Sequence, residues 1–549
     1  MLTMASEGAI SREVDQRKPR RAHTPSPWGD FFLHHTPCTR SQYMEMEDMA
    51  RTKKEEVRKI ILDLAASADL APKLDIVDTL QRIGVAYHYC EEIDELLRDV
   101  HDNKDARKCD DLRIAALQFY LLRKHGYHVS PDVFLNFRDA QGNFTSNDVN
   151  SLLALYDAAH MRVHGEDILD DAIAFTETHL RSIADHVEPL LAEEVCCTLE
   201  TPSFRRVERI EAIRYISVYE KKATQDKTIL EFSKMDFNII QTIYCEELKA
   251  LTIWWEDFKS QSTDLRFARD RMVELHFWTL GVLYEPQHSN SRVILTKLDV
   301  IFSLFDDLFD NYSTTEEGDM FIKAIIRWDK QAAEYFPAYL KTLLVNIINT
   351  MDDIVEELNH KKNKYAELVR KVVIDNAKCY HAEVKWRDEH YVPTSVKEHL
   401  EISLCSSACM HIISLVFIML GDMTTAEDLD WVSTYPKIVR GVCIIARISN
   451  DIMSHEREQG SDHVASTVQT CKKEHGITTE QANAKLKKII EESWMDIVKE
   501  CLEQNHPITL LEKAVHLART CDFLYKHEDA YTLSFCLKDT LDSLYVNFV

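Results

Sequence analysis

Val300-Ile301-Phe302-Ser303-Leu304-Phe305-Asp306-Asp307-Leu308-Phe309-Asp310-Asn311-Tyr312 places three carboxylates inside an apolar segment. Leu304, Phe305, Leu308 and Phe309 read as core-facing, so the acids sit where hydration is poor and isolated charges do not persist. On a helix Asp306 and Asp310 lie one turn apart and project together, while Asp307 is rotated from them by roughly a hundred degrees. Two close carboxylates in a partly dry site repel unless one is protonated or a cation lies between them. A few hard oxygen ligands on one helix face suit Mg²⁺, which keeps several waters and completes its shell from phosphate. Other paired aspartates lack this setting: Asp352-Asp353 is followed by Glu356, Glu357, Lys361 and Lys362, a mixed-charge solvated face.

Outward from that stretch, Asn450, Ser454 and Glu458 fall at i, i+4 and i+8 behind the apolar run Val442 to Ile448. They are either three oxygen donors for one hard cation or a polar face on a buried helix. Arg447 stands one turn before them. Upstream, Arg269-Asp270-Arg271 ends 35 residues before Asp306 (306 − 271). Its two guanidinium groups would clamp phosphate, or would pair with Asp270 along a helix face. Of the aromatic residues nearby, most read as core. Trp278, two turns past Arg271, is the exception, because an indole stabilises a cation without offering a nucleophile.

Composition sets the class. The 549 residues exceed one ordinary core, and 12 Gly and 13 Pro leave little room for the turns of a β-rich fold, so two all-helical domains are expected. A formal charge of −26 offers no basic field for nucleic acid or an anionic membrane. The apolar run Cys409 to Leu420 spans 12 residues, short of the ~20 that a membrane span needs. The 14 Cys are scattered without regular spacing, which predicts free thiols in a reducing compartment. The acidic N-terminus, with no apolar leader, points to the cytosol.

Residues 1–30 are polar and Pro-bearing and read as an extended arm. Residues 31–227 carry amphipathic helical patterns, as in Lys73 to Gly84, where Gly84 can close a helix. The charged stretch Lys221 to Lys227 marks a boundary, and residues 228–549 hold every chemistry-bearing feature named above.

Together these residues resemble the plant class I terpene synthases of the sesquiterpene-forming group, nearly end to end. The aspartate-rich pattern DDxxD is matched by Asp306 to Asp310, (N/D)Dxx(S/T)xxxE by Asn450 to Glu458, and RxR by Arg269 to Arg271. The resemblance implies a class II-relic helical barrel followed by a helical bundle with the active site, and the class II acid pattern DxDD does not occur. It implies that Asp306 and Asp310 ligate two Mg²⁺ ions and that Asn450, Ser454 and Glu458 ligate a third, with Mn²⁺ as a substitute ion. Arg269, Arg271 and Arg447 would bind diphosphate, Trp278 would line the cation cavity, and Asp529 and Tyr531, which match the C-terminal segment, would join Asp306, Asp310 and Trp278 as catalytic residues. The Ser406-Ser407-Ala408-Cys409 stretch resembles the family's helix break.

Four positions depart from the family pattern. Lys18-Pro19, eight residues before Trp28, has Lys where Arg is usual, and Arg20 or Arg21 can substitute in capping the site. Gly460 and Ser461 stand where relatives carry Lys or Arg, and Ala530 replaces Gly. The expected substrate is farnesyl diphosphate, handled by a monomer. The overall character is similar to grass synthases that make (E)-β-caryophyllene. The alternatives are geranyl diphosphate as substrate, another sesquiterpene or mixture as product, a chain-elongating prenyltransferase or a non-catalytic scaffold.

Overall fold

The structure is a computed structural model, and it describes residues 19–103, 109–260, 265, 267–459 and 464–549. Lys18, Gly460 and Ser461 lie outside the described residues. Among those described there is no strand, only an isolated antiparallel bridge between Arg138 and Phe144.

The N-terminal half is a succession of helices from Arg40–Ala65 to Glu208–Glu220. Their starts follow local chemistry. Thr39 and Gln42 form a reciprocal capping box, and the Asp69, Asp111 and Asp148 carboxylates each accept from a first-turn N–H. Helix Leu70–Arg82 ends at Gly84, whose φ of +82° favours glycine. A Cβ there would also come within 2.6 Å of the Ala212 Cβ.

The C-terminal half contains α1 (Lys227–Ser260), α2 (Met272–Val282), α3 (Ser289–Asp306), α4 (Leu368–Asp388), α5 (Val396–Ser406), α6 (Cys409–Leu420), α7 (Lys437–Glu458), α8 (Thr479–Glu503) and α9 (Ile508–Leu524). The charged stretch before α1 ends at Asp226, whose Oδ1 accepts from the N–H groups of Thr228 (2.8 Å) and Ile229 (3.2 Å). Six helices close a ring, with α2 against α3, α3 against α4, α4 against α5, α5 against α7, α7 against α9 and α9 against α2. A main hydrophobic core spans both halves, from Trp28 to Tyr545, beside a small separate cluster of Leu152, Tyr156, Leu180 and Val195. The halves are also tied by polar contacts: Arg205 pairs with Glu491 at 2.6 Å, and Arg519 Nε donates to the Phe204 carbonyl at 2.6 Å.

By length and composition the run Val396–Met423 could cross a membrane, but 78% of its most apolar window is buried inside the protein. The run is interrupted where Ala408 adopts φ +61° between α5 and α6. The scattered cysteines predict free thiols throughout, and this is corrected at one pair. Cys379 on α4 and Cys405 on α5 form a disulfide with Cα atoms 5.6 Å apart, and the other twelve are free. The packing of α4 on α5 creates that proximity, and no spacing along the chain reports it.

Candidate active site

The helix ring encloses a cavity of about 470 Å³, within the range of small-molecule sites. Arg269, Trp278, Asp306, Asp310, Arg447, Asn450, Glu458, Asp529 and Tyr531 all line it. Its deeper wall carries Leu275, Phe302, Ala408, Ile412 and Tyr525, so one end is charged and the other largely apolar.

The charged end is built by two helices. From α3 the chain passes into a π-helical turn, Asp307–Tyr312, and the wider turn brings all three aspartates to the cavity. The regular α-helical spacing turns Asp307 away, and this is corrected. Asp307 is 3% exposed and accepts from the Arg269 backbone N–H at 2.7 Å. It also faces Arg269 Nε at 2.9 Å and His23 Nε2 at 3.5 Å. Burial, more than the opposing Arg269, pushes its carboxyl up to about 7. Asp310 is likewise raised, by burial first, against Arg21.

On the opposite wall α7 presents Asn450 and Glu458 to the cavity, with Ser454 between them on the same face. Ser454 is 1% exposed, and its Oγ has no hydrogen-bond partner among the described residues; the buried Asp310 Oδ1 is in the same condition. Buried oxygens without donors, on two facing walls, are the donor set that a hard cation takes. The Arg21 guanidinium bridges these walls in this structure, contacting Asp310 and donating to Glu458 Oε1 at 3.2 Å. Its backbone is fixed by Asn311, whose Oδ1 accepts from Arg21 N at 2.6 Å and whose Nδ2 donates to Arg21 O at 3.0 Å. Burial, followed by Arg269, Arg271 and Arg21, lowers His23 to about 3, so this part of the arm adds no further charge.

Arg269 contacts Asp306 and lies over the Tyr531 ring at 4.9 Å. Arg447 Nη2 donates to Ser406 Oγ at 3.2 Å, and that hydroxyl donates to Glu383 Oε1 at 2.5 Å. The serine before the helix break is therefore held between Arg447 and Glu383. Burial pushes Glu383 up to about 7. Arg457 pairs with Asp529. Tyr531 shares a 2.6 Å hydrogen bond with Ser303, and Trp278 packs edge-on to Tyr531 (5.8 Å) and Tyr525 (6.0 Å).

Arg271 is a second correction. It is 1% exposed and does not line the cavity. Its guanidinium donates to the carbonyls of Thr24 (2.9 Å), Tyr531 (3.0 Å) and Thr532 (2.9 Å), so it anchors the N-terminal arm against the C-terminal segment. Three cavity residues carry no sequence signal of their own: Asp299, Glu383 and His399 are single polar residues in helical patterns.

Comparison with known proteins places these features together. Residues 27–199 match the terpene synthase N-terminal domain, and residues 258–496 match the metal binding domain of the terpene synthase family. The chain is 53% identical, over the whole length of both proteins, to an (E)-beta-caryophyllene synthase of Zea mays. It is 43% identical to a beta-sesquiphellandrene synthase of Sorghum bicolor, with 98% of each chain covered. Among solved structures, a limonene synthase with 2-fluorolinalyl diphosphate superposes with TM-score 0.89 at 26% identity, covering 96% of this chain and 99% of that one. Isoprene synthase from grey poplar, in complex with three Mg²⁺ ions and dimethylallyl-S-thiolodiphosphate, superposes with TM-score 0.85 at 28% identity, covering 95% and 99%.

Proposed function

Because the chain belongs to the terpene synthase family, we propose that it is a sesquiterpene synthase that ionises farnesyl diphosphate and cyclises the cation to a hydrocarbon. The observation that carries this is the pair of oxygen-bearing walls, one with Asp306 and Asp310 and one with Asn450, Ser454 and Glu458, at the charged end of a cavity whose other end is largely apolar. Those residues would hold Mg²⁺, with Mn²⁺ as a substitute ion. When bound, the metal supplies positive charge to the departing diphosphate.

The protein's own groups do the rest. Arg269 and Arg447 bind and orient the diphosphate at the polar end, where charge grows as the allylic C–O bond breaks. Arg21, which reaches Asp310 and Glu458 in this structure, would cap the charged end beside the metal and exclude water, which would otherwise trap the cation as an alcohol. The apolar wall folds the isoprenoid tail, and Trp278 offers its ring face to positive charge. Loss of a proton from carbon ends the reaction. (E)-β-Caryophyllene is the product proposed, on the 53% identity to the maize protein of that name. The functional halves are proposed to meet at the start of α1.

Gas chromatography with mass spectrometry tests the reading, using purified protein, farnesyl diphosphate and Mg²⁺, with geranyl diphosphate and an EDTA control alongside. Cyclic C15 hydrocarbon that vanishes with EDTA is the expected result. Longer prenyl diphosphates alone, or no C15 product, would overturn it.

A further inference from the structure

Asp299 lies on α3 seven residues before Asp306, two helical turns deeper and roughly 10 Å along the axis. It shares the cavity-lining face with Phe302, Ser303 and Asp306. The residue is 4% exposed, and among the described residues neither carboxyl oxygen has a hydrogen-bond partner. Its surroundings differ from those of the acids at the charged end: Asp306, Asp307, Asp310 and Glu458 each face an arginine, whereas among the described residues no cation pairs with Asp299. Burial alone raises its carboxyl well above the ordinary range, which favours the uncharged form. An orphaned buried polar group costs stability, and such groups persist where they act on something else.

That something is the isoprenoid cation, if the proposed function holds. We propose that Asp299 is a product-determining residue: its carboxyl oxygen, on the hydrocarbon-facing wall, holds positive charge on the substrate carbon beside it and so selects which closure and deprotonation follow. A carbonyl dipole fixed in a dry cavity interacts with a cation more strongly than in water. A neutral acid supplies that dipole without the desolvation cost of a buried anion. The diphosphate-binding end lies two turns away, so ionisation itself does not depend on Asp299.

The test compares Asp299→Asn, which keeps a carbonyl of the same shape, with Asp299→Leu, which removes it. Diphosphate release, product distribution and Tm are measured for both. Asp299→Leu is expected to lower the share of the dominant product at least twofold, with diphosphate release changed less than about threefold. Asp299→Asn is expected to keep the wild-type distribution. Asp299→Leu should also raise Tm, since it removes an unpaired buried polar group. An unchanged distribution in Asp299→Leu, equal changes in both variants, or a lowered Tm in Asp299→Leu would each overturn the proposal. Wild-type protein that turns farnesyl diphosphate into no C15 product would overturn the functional reading along with it, so the two failures are distinguishable.

Discussion

Two clusters of arginines and carboxylates, one in each half, use the same side chains to opposite effect. In the N-terminal half Arg82, Arg206 and Arg214 surround Glu194 and Glu211, with Arg82 donating to Glu194 at 2.7 Å and to Glu211 at 3.0 Å. Arg206 and Arg214 donate to Glu211 at 3.0 Å and 2.9 Å. Against the upward push of burial, Arg82 and Arg214 hold Glu194 down at about 2. At the cavity mouth Asp306, Asp307, Asp310 and Glu458 share Arg269 and Arg21, and there burial wins, raising Asp307 and Asp310. Cations in excess make a structural clamp. Carboxylates in excess make a site that is completed by further positive charge.

The largest expected effect separates the two clusters by function. Asp306→Ala should lower kcat/KM for farnesyl diphosphate by roughly 10³-fold, while its circular dichroism spectrum and Tm stay near wild type. A comparable activity in the variant would break the distinction.

The mirror experiment is Glu194→Gln, which should leave kcat at 25 °C unchanged but cost about 3 kcal/mol of stability at pH 7. The sign follows from the depressed carboxyl. Its stabilisation is present above the unfolded value near 4.5 and is lost as pH falls toward about 2. The difference between wild type and Glu194→Gln in urea unfolding should therefore shrink between pH 4.5 and 2. A constant difference across that window would show that the pairing is not the source.

A smaller effect is expected at Arg21 of the N-terminal arm. Arg21→Ala should reduce turnover about tenfold, the worth of one charge-assisted bridge, and should raise the fraction of water-trapped C15 alcohol. Arg21→Lys should recover part of the loss, because it keeps the charge but not the fork that reaches both walls. An unchanged product spectrum in Arg21→Ala would remove Arg21 from the chemistry.

The sequence made the helical class and the two metal-facing patterns legible because both are periodic: Asn450, Ser454 and Glu458 repeat at the helical interval, and their cavity face follows. Asp307 was not legible in its place, since a π-helical turn alters the interval and leaves no mark in residue identity. Arg271 misleads for the converse reason: an RxR pattern matches a phosphate clamp, while the carbonyls that Arg271 meets, at Thr24, Tyr531 and Thr532, are distant in sequence. The Cys379–Cys405 pair and Asp299 belong with it, because each depends on which helices meet or what fails to meet a side chain. The helix break is an intermediate case. Its serines were identifiable by resemblance, but the left-handed Ala408 and the hold of Arg447 on Ser406 depend on how distant helices meet.

Thermal unfolding with Mg²⁺ and inorganic diphosphate tests the central distinction most directly, since ligands that bind only the folded state raise Tm. The prediction is a clear rise for wild type and for Glu194→Gln, measured from its own lower baseline, and no rise for the double variant Asp306→Ala/Asp310→Ala. An equal rise in that double variant would contradict the assignment of the acid-rich mouth as the place where metal and diphosphate bind.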